Sequence, residues 1–176
     1  MRDARRILVY GVTGSGKSTL AARIAERSGL PYRSVDDEIG WLPAWTERSQ
    51  DDQKRIAEEI TARDAWVLDT AYGAWRPVVL DRVDLVVALD YPRWVSLARL
   101  VRRTASRLVT RTPVCNGNVE NARQVFSSDS IIAWHFRSFR RKRERILGWE
   151  ADPSFPPMVR LTSPRATARW LAESSS

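Results

Sequence analysis

Short apolar runs alternate with longer stretches of helical period along this chain of 176 residues. The runs 6–10, 32–35, 66–69, 85–90 and 158–161 are predicted strands, brief and nearly all apolar, as suits strands covered on both faces. Between them lie predicted helices at 17–28, 49–63, 93–109, 129–147 and 164–172. In the first, Leu20, Ala21 and Ile24 form a buried face and Gly29 provides the stop. In the third, Trp94, Leu97, Ala98, Val101, Ala105 and Leu108 recur at helical spacing while Arg99, Arg102, Arg103 and Arg107 occupy other faces. The alternation of strand and helix predicts an α/β domain built on a parallel sheet. Two stretches lack a period: the tryptophan- and proline-rich loop 41–45, and the polar segment 112–128 with Asn116-Gly117-Asn118, which reads as a loop or small lid. With no repeat and no linker, residues 1–176 read as one domain carrying that lid insertion.

Composition changes this picture in two ways. A single cysteine, Cys115, excludes a disulfide framework and a structural zinc site; no run of 18 apolar residues occurs, and the opening MRDARR is followed by too few apolar residues for a signal peptide. A cytoplasmic protein without a membrane contact is expected. The charge is also uneven: of the net +8, residues 91–150 hold 13 Lys/Arg against 4 Asp/Glu, and the rest of the chain is close to neutral. Nearly all these cations fall in 93–111 and 137–145, on the two helices flanking the lid segment, so an anionic ligand or a nucleic-acid backbone is the expected partner.

The chemistry begins where the first strand ends. Gly11 to Ser18 read GVTGSGKS, the G-x-x-x-x-G-K-[ST] phosphate loop, between a strand and a helix as its mechanism requires. Gly11, Gly14 and Gly16 let the backbone turn several N–H groups into one concavity, and the helix N-terminus adds its positive dipole end. Thr13, Ser15 and Thr19 complete the nucleotide-binding set. Lys17 neutralises the β- and γ-phosphates, and the Ser18 hydroxyl is the expected magnesium ligand. ATP and Mg²⁺ are therefore the expected cofactors. Two pairs at helical spacing, Arg103 with Arg107 and Arg137 with Arg141, are predicted to converge on the transferring phosphoryl group.

In order along the chain, GVTGSGKSTLA, VDDEIGWLPAW, WVLDTAY, DLVVALDYPRWVSLARLVRR, SDSIIAWHF and LTSPRATARWL resemble the P-loop kinases related to adenylate and shikimate kinases. Within these the chain is most similar to the bacterial DNA topology modulation proteins, described also as adenylate-kinase-like ATPases. The resemblance implies a three-layer P-loop NTPase fold, with a five-stranded parallel sheet in the order 2-3-1-4-5 and a helical lid. It further implies that Asp69 holds magnesium through water, and that Asp36 or Asp37 orients or deprotonates the acceptor hydroxyl, Asp37 being taken as the catalytic one. The lid sequence TPVCNGNVEN lacks the compact basic loop of adenylate kinase, so adenosine monophosphate is not carried over as acceptor.

The reading is phosphoryl transfer from ATP to a small-molecule acceptor, a nucleoside or a nucleotide, by a monomer or homodimer. Its rival is an ATPase that grips nucleic acid through 93–145. Asp90 is expected to cap the helix at Arg93, and His135, beside Trp134 and Phe136, to be packed. Trp41, Trp45 and Tyr72 are expected to pack at the sheet edge, where a flat acceptor would otherwise stack. Cys115 has no activating neighbour in sequence.

Overall fold

The computed structural model describes residues 3–119 and 131–174. Five parallel strands form the sheet: β1 (Arg6–Gly11), β2 (Tyr32–Arg33), β5 (Trp66–Leu68), β6 (Leu85–Leu89) and β7 (Met158–Leu161). Their order is β2-β5-β1-β6-β7, which among these main strands is the expected 2-3-1-4-5. The numbering gap is a two-stranded antiparallel hairpin, β3 (Trp41–Leu42) with β4 (Thr46–Glu47), formed by the stretch predicted as loop. Ala44 and Trp45 both adopt positive φ there, so the chain reverses within a few residues.

Alternation along β1 shows why the sheet is buried on both sides. Ile7 and Val9 face one core with Leu20, Ala21 and Ile24 of α1 (Lys17–Ser28) and Leu171, from the last helix, Pro164–Glu173. Leu8 and Tyr10 face the other, with Ala57 and Ile60 of α2 (Gln50–Thr61), Val79 of α3 (Arg76–Leu80) and Ile146 of the long basic helix. Ser49 caps α2 by accepting the Asp52 N–H at 3.1 Å. The short α3 had no period to reveal it in sequence; Pro77 at its start supplies the preset φ. Strand β2 stops at Arg33, earlier than predicted, because Val35 already leads into one wide helical turn, Asp36–Gly40, closed by the Trp41 N–H on the Asp36 carbonyl.

The two basic helices are α4 (Arg93–Thr110) and α5 (Ile131–Ala151), with α6 (Pro164–Glu173) closing the chain. The start expected for α5 at 129, and most of the lid segment 112–128, lie outside the described residues. Helix α4 reverses the packing that its apolar stripe implies. Its buried residues are Ser96, Leu100 and Thr104, whereas Trp94 is 73 % and Val101 46 % exposed. Close approach explains the inversion: Gly14, at φ +82°, sits so near α4 that a Cβ would collide with the Ser96 carbonyl oxygen, and it would lie 2.9 Å from Leu100 Cβ. A helix meeting a backbone that closely needs small residues on the meeting face.

Candidate active site

The phosphate loop leaves β1 at Gly11 and enters α1 at Gly16, a left-handed cap at φ +94° that brings no side chain of its own. The first N–H groups of α1 therefore remain available to an anion. Hydrogen bonds within the loop and from the two basic helices hold it in shape. Ser15 Oγ donates to the Val12 carbonyl at 2.8 Å, Arg99 of α4 to the Ser15 carbonyl at 3.3 Å, and His135 of α5 meets the Thr13 carbonyl with Nδ1 at 3.0 Å. A carbonyl only accepts, so His135 carries its proton on Nδ1; the ring is fully buried, which pushes its pKa down and keeps it neutral. It is packed, as expected, and its contact braces the loop. Lys17 Nζ donates to the Val12 carbonyl at 3.0 Å, and burial lowers its pKa against the opposing pull of Asp69 and Asp36.

A cavity of about 1480 Å³ opens over the loop. Arg103 and Arg107 of α4 and Arg137 and Arg141 of α5 all line it, together with Lys17 and Asp69, so the two arginine pairs and the phosphate loop share one space. Their convergence needed the packing of α4 on α5, which spacing alone does not reveal.

The paired aspartates divide. Asp36 lines the cavity and accepts a hydrogen bond from the Tyr72 hydroxyl. Asp37 does not appear on that wall: it accepts from Ser34 Oγ and, at 2.9 Å, from the Asn116 N–H, tying the wide turn to the start of the lid. Gly40 makes the Asp36–Tyr72 pair feasible, since a Cβ there would stand 2.5 Å from the Tyr72 oxygen. Burial first, and then Asp36, push the Tyr72 pKa up, so it remains a donor. Trp41 and Trp45 meet edge to face at 5.7 Å; both line the cavity, and Trp45 is anchored to Asn118 and Val119. Asp90 is structural but is no cap. It binds Arg160 at 3.0 Å and Arg143 at 3.4 Å, and α4 begins at Arg93 after Pro92 at the N-cap, without a side-chain cap. Burial raises the Cys115 thiol to about 12, so it is no thiolate near neutrality.

Residues 7–123 match the model of the AAA domain family. The chain belongs to that family. A cytidylate kinase from Aeropyrum pernix is 34 % identical over 110 residues, covering 54 % of this chain and 63 % of that protein. A shikimate kinase from Rhodopseudomonas palustris is 30 % identical over 129 residues, 65 % of this chain and 63 % of its own. The matches thus span 63 % of the length of these two curated relatives. Among solved structures, a shikimate kinase from Acinetobacter baumannii in complex with shikimate superposes with a TM-score of 0.58 at 18 % identity, covering 98 % of this chain and 92 % of the other. A gluconokinase from Sinorhizobium meliloti gives 0.53, also at 18 %, over 97 % and 93 %. These likenesses establish the α/β P-loop fold.

In this AAA-domain protein Ser18 and Asp69 are the residues that would hold a magnesium ion, and they suit one that keeps most of its water. Among the described residues no group of three His, Cys, Asp or Glu side chains forms a cage. Instead the Ser18 hydroxyl and the Asp69 carboxylate are linked through Tyr32, whose hydroxyl donates to Asp69 at 3.1 Å and interacts with Ser18. One carboxylate and one hydroxyl beside a polyphosphate suit Mg²⁺. Asp69 also accepts the Val35 N–H at 3.0 Å, a structural duty that sequence did not show. Asp69→Asn is expected to lower turnover about 10-fold or more with ATP affinity little changed. Steady-state kinetics beside a nucleotide titration decide it; unchanged turnover would leave Asp69 only the task of holding Val35.

Proposed function

We propose that the protein is an ATP- and Mg²⁺-dependent kinase that passes the γ-phosphoryl group to a hydroxyl of a small anionic acceptor, a nucleotide before a nucleoside. The observation that carries this reading is the single cavity in which the phosphate loop, Asp36 and the arginines of α4 and α5 meet. Phosphoryl transfer requires these parts together: a cradled donor, a group to orient the acceptor, and positive charge on the moving phosphoryl group. Arg76 and Arg145 add cations on the wall near Tyr10, Arg145 donating to its hydroxyl at 2.8 Å and Arg76 lying 5.8 Å from its ring centroid. Such surroundings suit an acceptor bearing phosphate or carboxylate. The names of the two curated relatives, a cytidylate and a shikimate kinase, agree with a small acceptor. We propose from the order of its motifs that the chain is of the DNA topology modulation group, a single domain over 1–176 that acts in the cytoplasm. No described helix is long and apolar enough to cross a membrane.

The basic residues of α5 support a cavity function over a nucleic-acid grip. Arg140 is paired with Glu144 at 2.7 Å, Arg143 with Asp90, Arg145 with Tyr10, and Arg141 lies 5.7 Å from the Trp134 ring centroid. They are distributed around the helix to separate partners and do not present one stripe to a phosphate backbone. The test is acceptor-stimulated ADP release across nucleotides, nucleosides, metabolites and 5′-hydroxyl oligonucleotides, with Arg137→Ala and Arg141→Ala measured in a salt series. Loss of stimulated turnover by about 10³-fold in the double variant is expected. Retained turnover, with oligonucleotide affinity whose salt slope drops by about one per arginine removed, would favour the nucleic-acid ATPase.

A further inference from the structure

A second ammonium group stands beside the phosphate loop, hidden in sequence within the run Arg140-Arg141-Lys142-Arg143. Lys142 Nζ donates to the Gly11 carbonyl at 3.3 Å and lies 5.9 Å from the Tyr10 ring centroid, on the wall of the same cavity. Lys17 Nζ donates to the next carbonyl, Val12, at 3.0 Å. Two lysines from different helices, α1 and α5, therefore rest on consecutive carbonyls at the end of β1. Among the described residues neither takes part in an ion pair.

The charges that act most strongly on Lys142 are Lys17 from α1, Arg76 from α3 and Arg145 from its own helix, against the carboxylate of Asp36 from the turn after β2; Tyr10 of β1 presents its ring. Around the cavity wall the lysines and arginines outnumber the carboxylates Asp36, Asp69 and Glu47, an excess of positive charge that an incoming oxyanion would offset. A carbonyl oxygen and a ring face are weak partners for an ammonium, easily exchanged for an oxyanion. Burial and the neighbouring cations bring Lys142 down to about 7, so its ammonium is only partly formed at neutral pH before a ligand arrives.

We propose that Lys142 is a positioning residue for the oxyanion of the acceptor, exchanging the Gly11 carbonyl for that group and taking one proton from solvent as the acceptor binds. The inference rests on the kinase reading above. Its balance is simple: the neutral amine, a proton and the anion become an ammonium–oxyanion pair, with no bond to carbon or phosphorus changed. The sign follows. Below pH 7 the ammonium is already present and binding takes up no proton. Between pH 7 and the higher pKa of the bound state, uptake approaches one proton and affinity falls as pH rises.

Calorimetry on protein saturated with magnesium and a non-hydrolysable ATP analogue tests this, with sulfate as titrant, a phosphate stand-in that does not itself titrate between pH 6 and 9, and acetate in a parallel arm. Heats are measured from pH 6 to 9 in two buffers of different ionisation enthalpy. Wild type should show uptake rising from near zero to about one proton. Lys142→Met should bind roughly 10- to 100-fold more weakly at pH 6.5 and show no uptake. Lys142→Arg should restore affinity while binding becomes independent of pH and of buffer, which a merely structural lysine would not produce. If Lys142→Met fails to fold, the arginine variant still decides, since uptake persisting there overturns the proposal. No uptake in wild type, or equal affinity in Lys142→Met, overturns it too. A sulfate response without an acetate response narrows the acceptor group to tetrahedral oxyanions such as phosphate esters; the reverse narrows it to carboxylates. Failure of the nucleotide analogue itself to bind would sink the kinase reading, whereas normal analogue binding with proton-independent sulfate and acetate binding would sink only the assignment of Lys142.

Discussion

Lys17→Ala is expected to fold normally and to lose turnover by about 10²- to 10³-fold or more, the scale of removing one preorganised group from a developing negative charge. The fold does not depend on this lysine. Among the described residues its ammonium donates to the Val12 carbonyl and takes no part in an ion pair, and burial disfavours its charge more than Asp69 and Asp36 favour it. Removing a desolvated charge without a carboxylate partner relieves the protein, so the thermal midpoint of the free variant should equal or exceed that of wild type. With ATP the order reverses. At a hundredfold excess over Kd, ATP contributes about 2.7 kcal/mol to wild type through linkage, and little to the variant. A thermal-shift titration reads both effects in one experiment. Equal stabilisation of the two proteins would remove the phosphate-loop assignment, and with it the kinase reading.

Asp36→Asn is expected to lose roughly 10²- to 10⁴-fold in acceptor-dependent turnover, the range of a positioned acid–base group. Nucleotide affinity should be unchanged. The asparagine keeps the shape and can still accept from the Tyr72 hydroxyl, so the loss isolates the negative charge. In the proposed reaction that charge would orient or take the proton of the acceptor hydroxyl, and it offsets the cations of Lys17 and Lys142. Asp37→Asn is the matched control: its carboxylate is committed to Ser34 and to the Asn116 N–H, and its loss should alter turnover only a few-fold. Single-turnover measurements on both variants separate transfer from product release. A greater loss in Asp37→Asn than in Asp36→Asn would restore Asp37 as the acceptor-side carboxylate.

How the two carboxylates divide shows the limit of reading a chain residue by residue. Adjacent side chains in a turn leave in different directions, and the wide turn at Asp36–Gly40 aims the first at the cavity and the second at the lid. Nothing in the pair Asp36-Asp37 encodes that choice, because it depends on where Tyr72 and Asn116 lie, 36 and 79 residues further on. The same holds for Lys142. In sequence it is one of several cations on a basic helix; only the packing of α5 on β1 sets it against Gly11 while Arg140 remains in solvent.

What the sequence determined by itself is local in its physics. The unbroken apolar run 7–10 needs no distant partner to specify a strand covered on both faces, and the spacing of Leu20, Ala21 and Ile24 needs none to specify the inner side of α1. The phosphate loop is legible for the same reason, since glycines at positive φ followed by a helix N-terminus build their anion cradle from adjacent residues. Tertiary structure alone decided which face of α4 is inside. Hydrophobicity favoured Trp94 and Val101, but Gly14 comes so close that only the Ser96, Leu100 and Thr104 side fits against it. It also decided that arginines on two helices and an aspartate from a turn enclose one cavity, because distances between side chains on separate elements are set by packing and by nothing in the spacing along the chain.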